Sequence, residues 1–383
     1  MSNFDFIVIG AGIAGASAAY ELQQYGRTVL LERENLPGHH TTGRSAAFLV
    51  DSYAGQVVGK LTKAGRPFFE HPPDGFTESP LVTSNAVLWI GRQDQADSLA
   101  AATRIGREAG AEMSEIELSE AFEHCPILRR EYVAGAVLEP SALHIDVAGL
   151  LESFLRGFRQ RGGTLSTKAE VTRVERTDNV WRVDGGGQAF EAAIVVNASG
   201  AWCDRVAEMA GARSIGLQPL RRTAITFDGP EGADIRGWPL VMDADEDFYL
   251  KPEGGQLLAS PCDETPFEPC DISPDDYEVA LVADRVQRAT TLELRHIRSR
   301  WAGLRSFVAD RSPVIGMDPE REGFFWLAGQ GGFGIMTSPG ASRAAAGLIA
   351  NDSLPSDLLA LGLTASMLSP TRLRDESGEL LAR

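Results

Sequence analysis

"FDFIVIGAGIAGASAAYELQQYGRTVLLERE", residues 4–34, runs from a strand through a glycine turn and a helix into a second strand. Residues 4–9 form a short apolar run of strand-forming types, and residues 14–24 carry the small, helix-favouring side chains that let a helix lie close on a sheet. Gly10, Gly12 and Gly15 make a GxGxxG. Gly10 permits the tight turn, Gly12 lets a pyrophosphate reach the backbone, and Gly15 lets the helix pack on the strand. The start of that helix offers unpaired N–H groups and the positive end of a dipole to phosphate. Glu32 closes the second strand 22 residues after Gly10, where a carboxylate can accept from both ribose hydroxyls. A lone GxGxxG carries little weight. Flanked by both strands, the helix and the terminal acid, it predicts an α/β, Rossmann-like fold that binds an adenine dinucleotide, without choosing between NAD and FAD.

The whole chain narrows the field. Its 383 residues suit one large or two interleaved domains, and 43% hydrophobic with 23% charged residues is ordinary for a globular protein. Fifty-three acids against 36 bases give a formal charge of -17, which argues against nucleic acid or an anionic membrane surface as partner. Only Lys60, Lys63, Lys168 and Lys251 are lysines, so nearly all the positive charge is arginine, the better bidentate ligand for a carboxylate. The N-terminus reads directly into the first strand without a charged leader, and no stretch approaches the roughly 20 apolar residues of a membrane span. The expectation is therefore a cytoplasmic protein with no integral membrane segment. Cys125, Cys203, Cys262 and Cys270 are scattered without a CxxC, and adjacent His39 and His40 lack a second ligand pair at metal spacing, so no metal is expected.

Two further signals lie far down the chain. In "AFEAAIVVNASGAWCDRVAEMAG", residues 189–211, a buried parallel strand ends in the turn Ala198-Ser199-Gly200, and a helix follows from Trp202. In flavoproteins of this fold a short turn of that type touches the dinucleotide, which moves the balance toward FAD. In "GFFWLAGQGGFGIMTSPGASRAAAGLIA", residues 323–350, an apolar strand runs into Gly329, Gly331, Gly332 and Gly334, and a helix of small residues is expected from about Ser338. Gly331 stands 321 residues beyond Gly10, so if both cradles hold one ligand, that ligand is long. FAD fits, with its pyrophosphate on the first helix and its ring under the last, whose dipole favours negative charge on the reduced ring.

Between these blocks the chain changes character. Strand-like runs such as "AVLWI" (86–90), "RRTAITF" (221–227) and "DFYLKP" (247–252) are broken by proline-rich segments at 229–239 and 260–276. They predict a mixed or antiparallel sheet inserted into the dinucleotide unit. The division is residues 1–80, 140–216 and 305–383 for FAD binding, and residues 81–139 and 217–304 for an α+β substrate domain. Residues 272–294 predict a helix capped by Ser273 with Pro274 just inside it, and the last nine residues predict a frayed tail.

The combination of "VIGAGIAGAS" (8–17), "LERE" (31–34), "TGRSAA" (42–47), "VVNASGAWCD" (195–204), "LQPLRRTA" (217–224), "DFYLKP", "WAGLRSFVAD" (301–310) and "GQGGFGI" (329–335) resembles the D-amino-acid oxidase or glycine oxidase superfamily of FAD enzymes, most nearly the bacterial D-arginine dehydrogenases. The resemblance implies oxidative deamination of a D-amino acid: hydride passes from the α-carbon to the flavin, and the imino acid is hydrolysed to a 2-oxo acid and ammonia. Electrons then pass to oxygen or a quinone-type acceptor. A covalent flavin in this superfamily uses a cysteine in the C-terminal third, and none follows Cys270, so noncovalent FAD is implied. The implied cofactor contacts are Gly10, Gly12, Ile13, Ala14, Gly15, Glu32, Arg33, Thr42, Gly43, Arg44, Ser45, Ala46, Ala47, Val171, Ala198, Gly200, Trp202, Arg305, Gly331, Gly332, Gly334, Ile335 and Thr337.

The implied catalytic set is Arg222 and Arg305 on the substrate carboxylate, Tyr53 and Tyr249 hydrogen-bonding it, and the Gly332 carbonyl on the amine. Arg221 and Arg222 are neighbours on a strand and face opposite sides, so only one enters a pocket. In the segment "GRSAAFLVDSY" (43–53), the first half is implied to lie along the cofactor and the second to face substrate. Here the chain departs from the D-arginine enzymes. Phe48 and Val50 stand where those carry a histidine and a threonine, and "LVTSNAVLW" (81–89) holds no acid for a guanidinium. A pocket of Phe48, Val50 and Val87 would prefer an apolar or uncharged side chain, because a buried cation without a counter-charge costs several kcal/mol. Two rivals stand beside this reading: an oxidase of glycine, sarcosine or another secondary amine, and a flavoprotein subunit or redox module whose partner does the chemistry. A nicotinamide dehydrogenase ranks third.

Overall fold

A computed structural model describes residues 2–52, 55–375 and 377–381. The first strand, Ser2–Ile9, lies at the centre of an eight-stranded sheet, parallel to Thr28–Leu31 on one side and Gln188–Asn197 on the other. Phe324–Ala328 extends the parallel set by pairing with Gln188–Asn197. Every residue of Thr28–Leu31 and of Phe324–Ala328 is buried, as continuous apolar strands covered on both faces must be. Helices Ile13–Leu22, Val147–Gln160 and Gly334–Asn351 pack on one face, with Ala16, Ala18, Ala19, Ala344 and Ala345 buried where small side chains allow close approach.

The second sheet has nine strands. Its long member Gln218–Phe227 runs antiparallel to Ser299–Phe307 over the whole length, while Leu240–Asp243 and Val87–Gly91 form its one parallel pair. This is the mixed sheet the sequence predicts. One buried apolar cluster runs from Val8 and Leu30 of the first sheet to Val87, Ala224 and Tyr249 of the second, and polar bonds tie the loop at Arg44 to the second sheet. Arg44 donates through Nη1 to the Ile272 and Ala302 carbonyls, each at 3.0 Å, and the Trp301 indole donates to the Arg44 carbonyl at 3.1 Å. A small third sheet joins Phe48–Leu49, Val82–Ser84 and Leu143–Ile145 between them.

Three local expectations change. The helix Asp276–Ala289 is capped by Asp275, whose carboxylate accepts from the Tyr277 N–H, rather than by Ser273; an aspartate immediately before the helix out-competes a serine two residues earlier. The last long helix is Gly334–Asn351, beginning about a turn before Ser338, so Gly334 is its first residue instead of part of a loose glycine loop. The C-terminal segment is folded back: Arg374 bridges Leu380, the Leu381 N–H donates to the Leu373 carbonyl at 2.9 Å, and the Asp375 carboxylate caps its own turn.

Gly10 is a point of close main-chain approach in the frame. Its φ is +98°, and a Cβ there would stand 2.5 Å from the Ala198 carbonyl oxygen. Gly10→Ala is expected to destabilise the protein by roughly 1–3 kcal/mol and to lower the flavin content of the purified protein. Thermal unfolding and the ratio of flavin to protein absorbance measure both effects.

Candidate functional site

Two cavities meet where the parallel strands end, the usual place for a ligand in this architecture. One is lined by Gly10, Glu32, Arg33, His40, Val171 and Trp202. The other is lined by Ile13, Ala14, Arg44, Ser45, Ala46, Ala47, Gly331, Gly332, Gly334 and Ile335, and beyond these by Arg222, Tyr249 and Arg305. Gly12, Thr41, Thr42, Ala198, Gly200 and Ala201 line both, so the two are parts of one channel running from Glu32 to the antiparallel sheet.

Glu32 does more than face a ribose. Its Oε2 accepts the Ala11 N–H and its Oε1 the Glu34 N–H, both at 2.9 Å, which ties the glycine turn to the end of the second strand. Thr42 works from across the turn: its Oγ1 accepts the Ile13 N–H at 3.0 Å and so caps the first helix, which has no side-chain cap of its own. Trp202 receives the Arg33 guanidinium over its ring at 4.9 Å, forming the outer wall. Gly15, Gly43 and Thr337 are not among the channel-lining residues; Gly15 and Gly43 instead permit close packing against the Gly10 and Gly38 carbonyls, and the Thr337 hydroxyl donates to Phe333.

At the far end the pairing of Gln218–Phe227 with Ser299–Phe307 sets Arg222 opposite Gly303 and Leu220 opposite Arg305. Strand alternation separates the neighbouring arginines as expected. Arg222 lines the channel, while Arg221 turns to Asp263 and Asp275 at 3.5 and 3.3 Å. Arg222 is held from behind by the Asp263 carbonyl at 2.9 Å and Glu264 at 3.1 Å. Asp263 in turn accepts the Thr223 N–H and hydroxyl, and Glu264 takes both Nη atoms of Arg311. Arg305 lies on Gly332, where a Cβ would stand 2.8 Å from its Nη1. Burial raises the Tyr249 phenol, and the positive charges of Arg305 and Arg222 pull it back only partly, so Tyr249 is a neutral hydrogen-bonding group. No aspartate or glutamate lines this end among the described residues.

Tyr53 lies outside the described residues. Phe48, Val50 and Val87 are all buried in the large core cluster and are not among the channel-lining residues. Phe48 instead meets polar neighbours: the His144 ring stands perpendicular at 5.5 Å, and the Lys251 ammonium lies 5.0 Å above its face. Lys251 is fully buried and paired with Glu253, which His144 also approaches at 3.6 Å. Nothing local in the sequence marks this cluster, because its members come from three separate strands. Two groupings of potential metal ligands, Glu34 with His39 and His40, and Asp243 with Asp245 and Asp247, are already engaged: His40 with Glu34 at 2.9 Å, and Gln95 with Asp243 and Asp245.

An FAD molecule suits this channel on several counts. The middle is built from main chain at a helix start, which favours a pyrophosphate. The inner end is lined by the small residues Ala46, Ala47, Gly331, Gly332 and Gly334. Ser306 Oγ and Gln330 Nε2, both on lining residues, are buried without a hydrogen-bond partner among the described residues.

Comparison with known proteins agrees. The family model described as "DAO: FAD dependent oxidoreductase" matches residues 5–348. Mitochondrial sarcosine dehydrogenase of Mus musculus is 25% identical over the whole of this chain, which spans only 44% of that protein's length. The structures of L-proline dehydrogenase from P. horikoshii and glycine oxidase from Geobacillus kaustophilus superpose with TM-scores of 0.85 and 0.84, each at 22% identity, covering 99% and 97% of this chain and 100% and 99% of theirs. These names share the superfamily; the narrower likeness to D-arginine dehydrogenases is carried by the sequence motifs alone. Among the described residues no helix is long and apolar enough to cross a membrane.

The buried pair beside Phe48 has a pH signature. Burial alone would raise the Glu253 carboxyl, but His144 and Lys251 outweigh it and hold it at about 2, while burial lowers the Lys251 ammonium. The stabilisation from Glu253 is therefore complete above the ordinary glutamate range and is lost as pH falls toward 2. In Glu253→Gln the ammonium loses its counter-charge. The thermal midpoint should fall by several degrees at neutral pH, and the gap to the parent should narrow with rising alkaline pH, because burial lowers the Lys251 ammonium from the ordinary lysine range and the charge is lost there.

Proposed function

The chain belongs to the DAO family of FAD-dependent oxidoreductases, with FAD as its cofactor, and on that premise we propose that it oxidises the carbon–nitrogen bond of a small amino carboxylate of the sarcosine, glycine or proline kind. The observation that carries this reading is the convergence of Arg222, Tyr249 and Arg305 at the end of the channel away from Glu32. A carboxylate taken out of water there must be paired, and guanidinium forks pair it with directional hydrogen bonds. The names of the relatives favour a secondary amine or glycine over a D-amino acid with a long side chain.

FAD, when bound, supplies the two-electron acceptor for the carbon that carries the amine. The protein's own part is to bind and orient. Arg222 and Arg305 take the carboxylate, the Tyr249 hydroxyl donates to it, and the Gly332 carbonyl accepts an N–H of the amine. With no carboxylate among the described residues of the lining at this end, an ammonium has no counter-ion there, so the substrate is held as the neutral amine; a cationic side chain is disfavoured for the same reason. Product imine is released to water, which yields the oxo compound and an amine or ammonia. Oxygen or a quinone-type molecule is the final acceptor.

A second reading, an apolar D-amino acid, draws on Phe48, Val50 and Val87. These are buried and uncharged but lie outside the channel lining; Val87 pairs with Leu240, on the strand whose Met242 pairs with Tyr249 of the lining. Flavin absorbance under argon separates the two. Sarcosine, glycine or L-proline should bleach the oxidised band while D-arginine does not. Bleaching by D-leucine alone selects the second reading, and bleaching by D-arginine alone overturns both. A flavin that no free amine reduces points to a flavoprotein subunit.

Arg305→Leu and Arg222→Ala test the carboxylate site. Either change should weaken binding of an amino carboxylate by roughly 2–5 kcal/mol, some thirtyfold or more in KM, with the FAD content retained.

A further inference from the structure

Gln330 follows the strand Phe324–Ala328 and stands at the entrance to the final helix. Its backbone is fixed on both sides: its carbonyl accepts the Phe333 N–H at 2.9 Å, and the next residue, Gly331, donates its N–H to the Ser306 carbonyl at 2.9 Å. The side-chain stem packs over Gly334, where a Cβ would stand 3.1 Å from the Gln330 Cβ and 3.8 Å from Ile13 Cγ2. Gln330 and Ile13, the first residue of Ile13–Leu22, thus both lie against Gly334, the first residue of Gly334–Asn351.

Its amide is the anomaly. Nε2 is buried and has no hydrogen-bond partner among the described residues, yet the residue lines the inner end of the channel. A buried amide without a partner destabilises a fold, and this turn, whose main-chain bonds are already made, has no need of one. An apolar side chain of the same length would pack the Gly334 contact equally well. The glycines around it offer only main-chain groups, and Arg305 is laid against Gly332 toward the carboxylate end.

We infer that Gln330 is a cofactor-recognition residue: its amide hydrogen-bonds the flavin end of bound FAD and is satisfied only in the holoprotein. This rests on FAD alone and is independent of which amine is oxidised.

Gln330→Met keeps the length and removes the hydrogen-bonding end; Gln330→Leu is the second variant should the thioether repack. The purified holoproteins are stripped of FAD and titrated with it, following flavin fluorescence, and thermal unfolding is measured with and without FAD. The FAD dissociation constant should rise by roughly three- to tenfold, the oxidised flavin band should shift, and the apoprotein should be as stable as the parent or more so. A loss of apoprotein stability equal to the holoprotein's would make Gln330 a structural residue and overturn the inference. So would an unchanged FAD constant and spectrum with a raised KM for the amine, which would assign the amide to substrate.

Discussion

The structure depends on the close approach of main chain to main chain at the ends of the parallel strands. Gly10 at φ +98° leaves no room for a side chain against the Ala198 carbonyl. Around that contact the strand ends are stitched together. The Gly10 N–H donates to Leu31 at 2.8 Å, the Ala198 N–H to Ile9 at 3.0 Å, and Glu32 accepts from Ala11. With those bonds made, the start of the first helix and the turn at 198–200 bound one channel, and residues 331–334 complete it from the far end of the chain.

The antiparallel sheet gives that channel its chemistry. It brings Arg222, Tyr249 and Arg305 to a buried wall, and burial decides what they can do. A guanidinium there is stable only with partners, and Arg222 is backed by the Asp263 carbonyl and the Glu264 carboxylate; no Asp or Glu is among the described residues lining that end of the channel. The two sheets are held in register by Arg44, whose guanidinium reaches the Ile272 and Ala302 carbonyls, and by Thr41, whose hydroxyl donates to Leu304 at 2.8 Å. Arg44 therefore belongs to the junction between sheets as much as to the cofactor loop.

Particular residues show where reading the sequence succeeds and where it stops. GxGxxG, Glu32, the Ala198-Ser199-Gly200 turn and the late glycine cluster were legible because each is a local pattern whose backbone geometry restricts residue type. Strand alternation sufficed to send Arg221 and Arg222 to opposite sides. The cap of the helix Asp276–Ala289 was misplaced by two residues, since serine and aspartate are both good caps and only the chain's path chooses between them. The C-terminal segment, polar and glycine-containing, carries no periodic pattern, yet bonds to residues 373 and 374 fold it back.

By itself the sequence determined the α/β frame, the glycine turns at the strand ends and the opposite facing of Arg221 and Arg222, because turns, helix starts and strand alternation are short-range consequences of residue type. The tertiary structure alone decided the rest. It placed Phe48 beneath the Lys251 ammonium and apart from the channel lining, set Glu264 behind Arg222, and left the Gln330 amide on the channel lining without a hydrogen-bond partner among the described residues. Each of these joins residues from distant strands, and whether a buried polar group is satisfied depends on neighbours that no local spacing specifies.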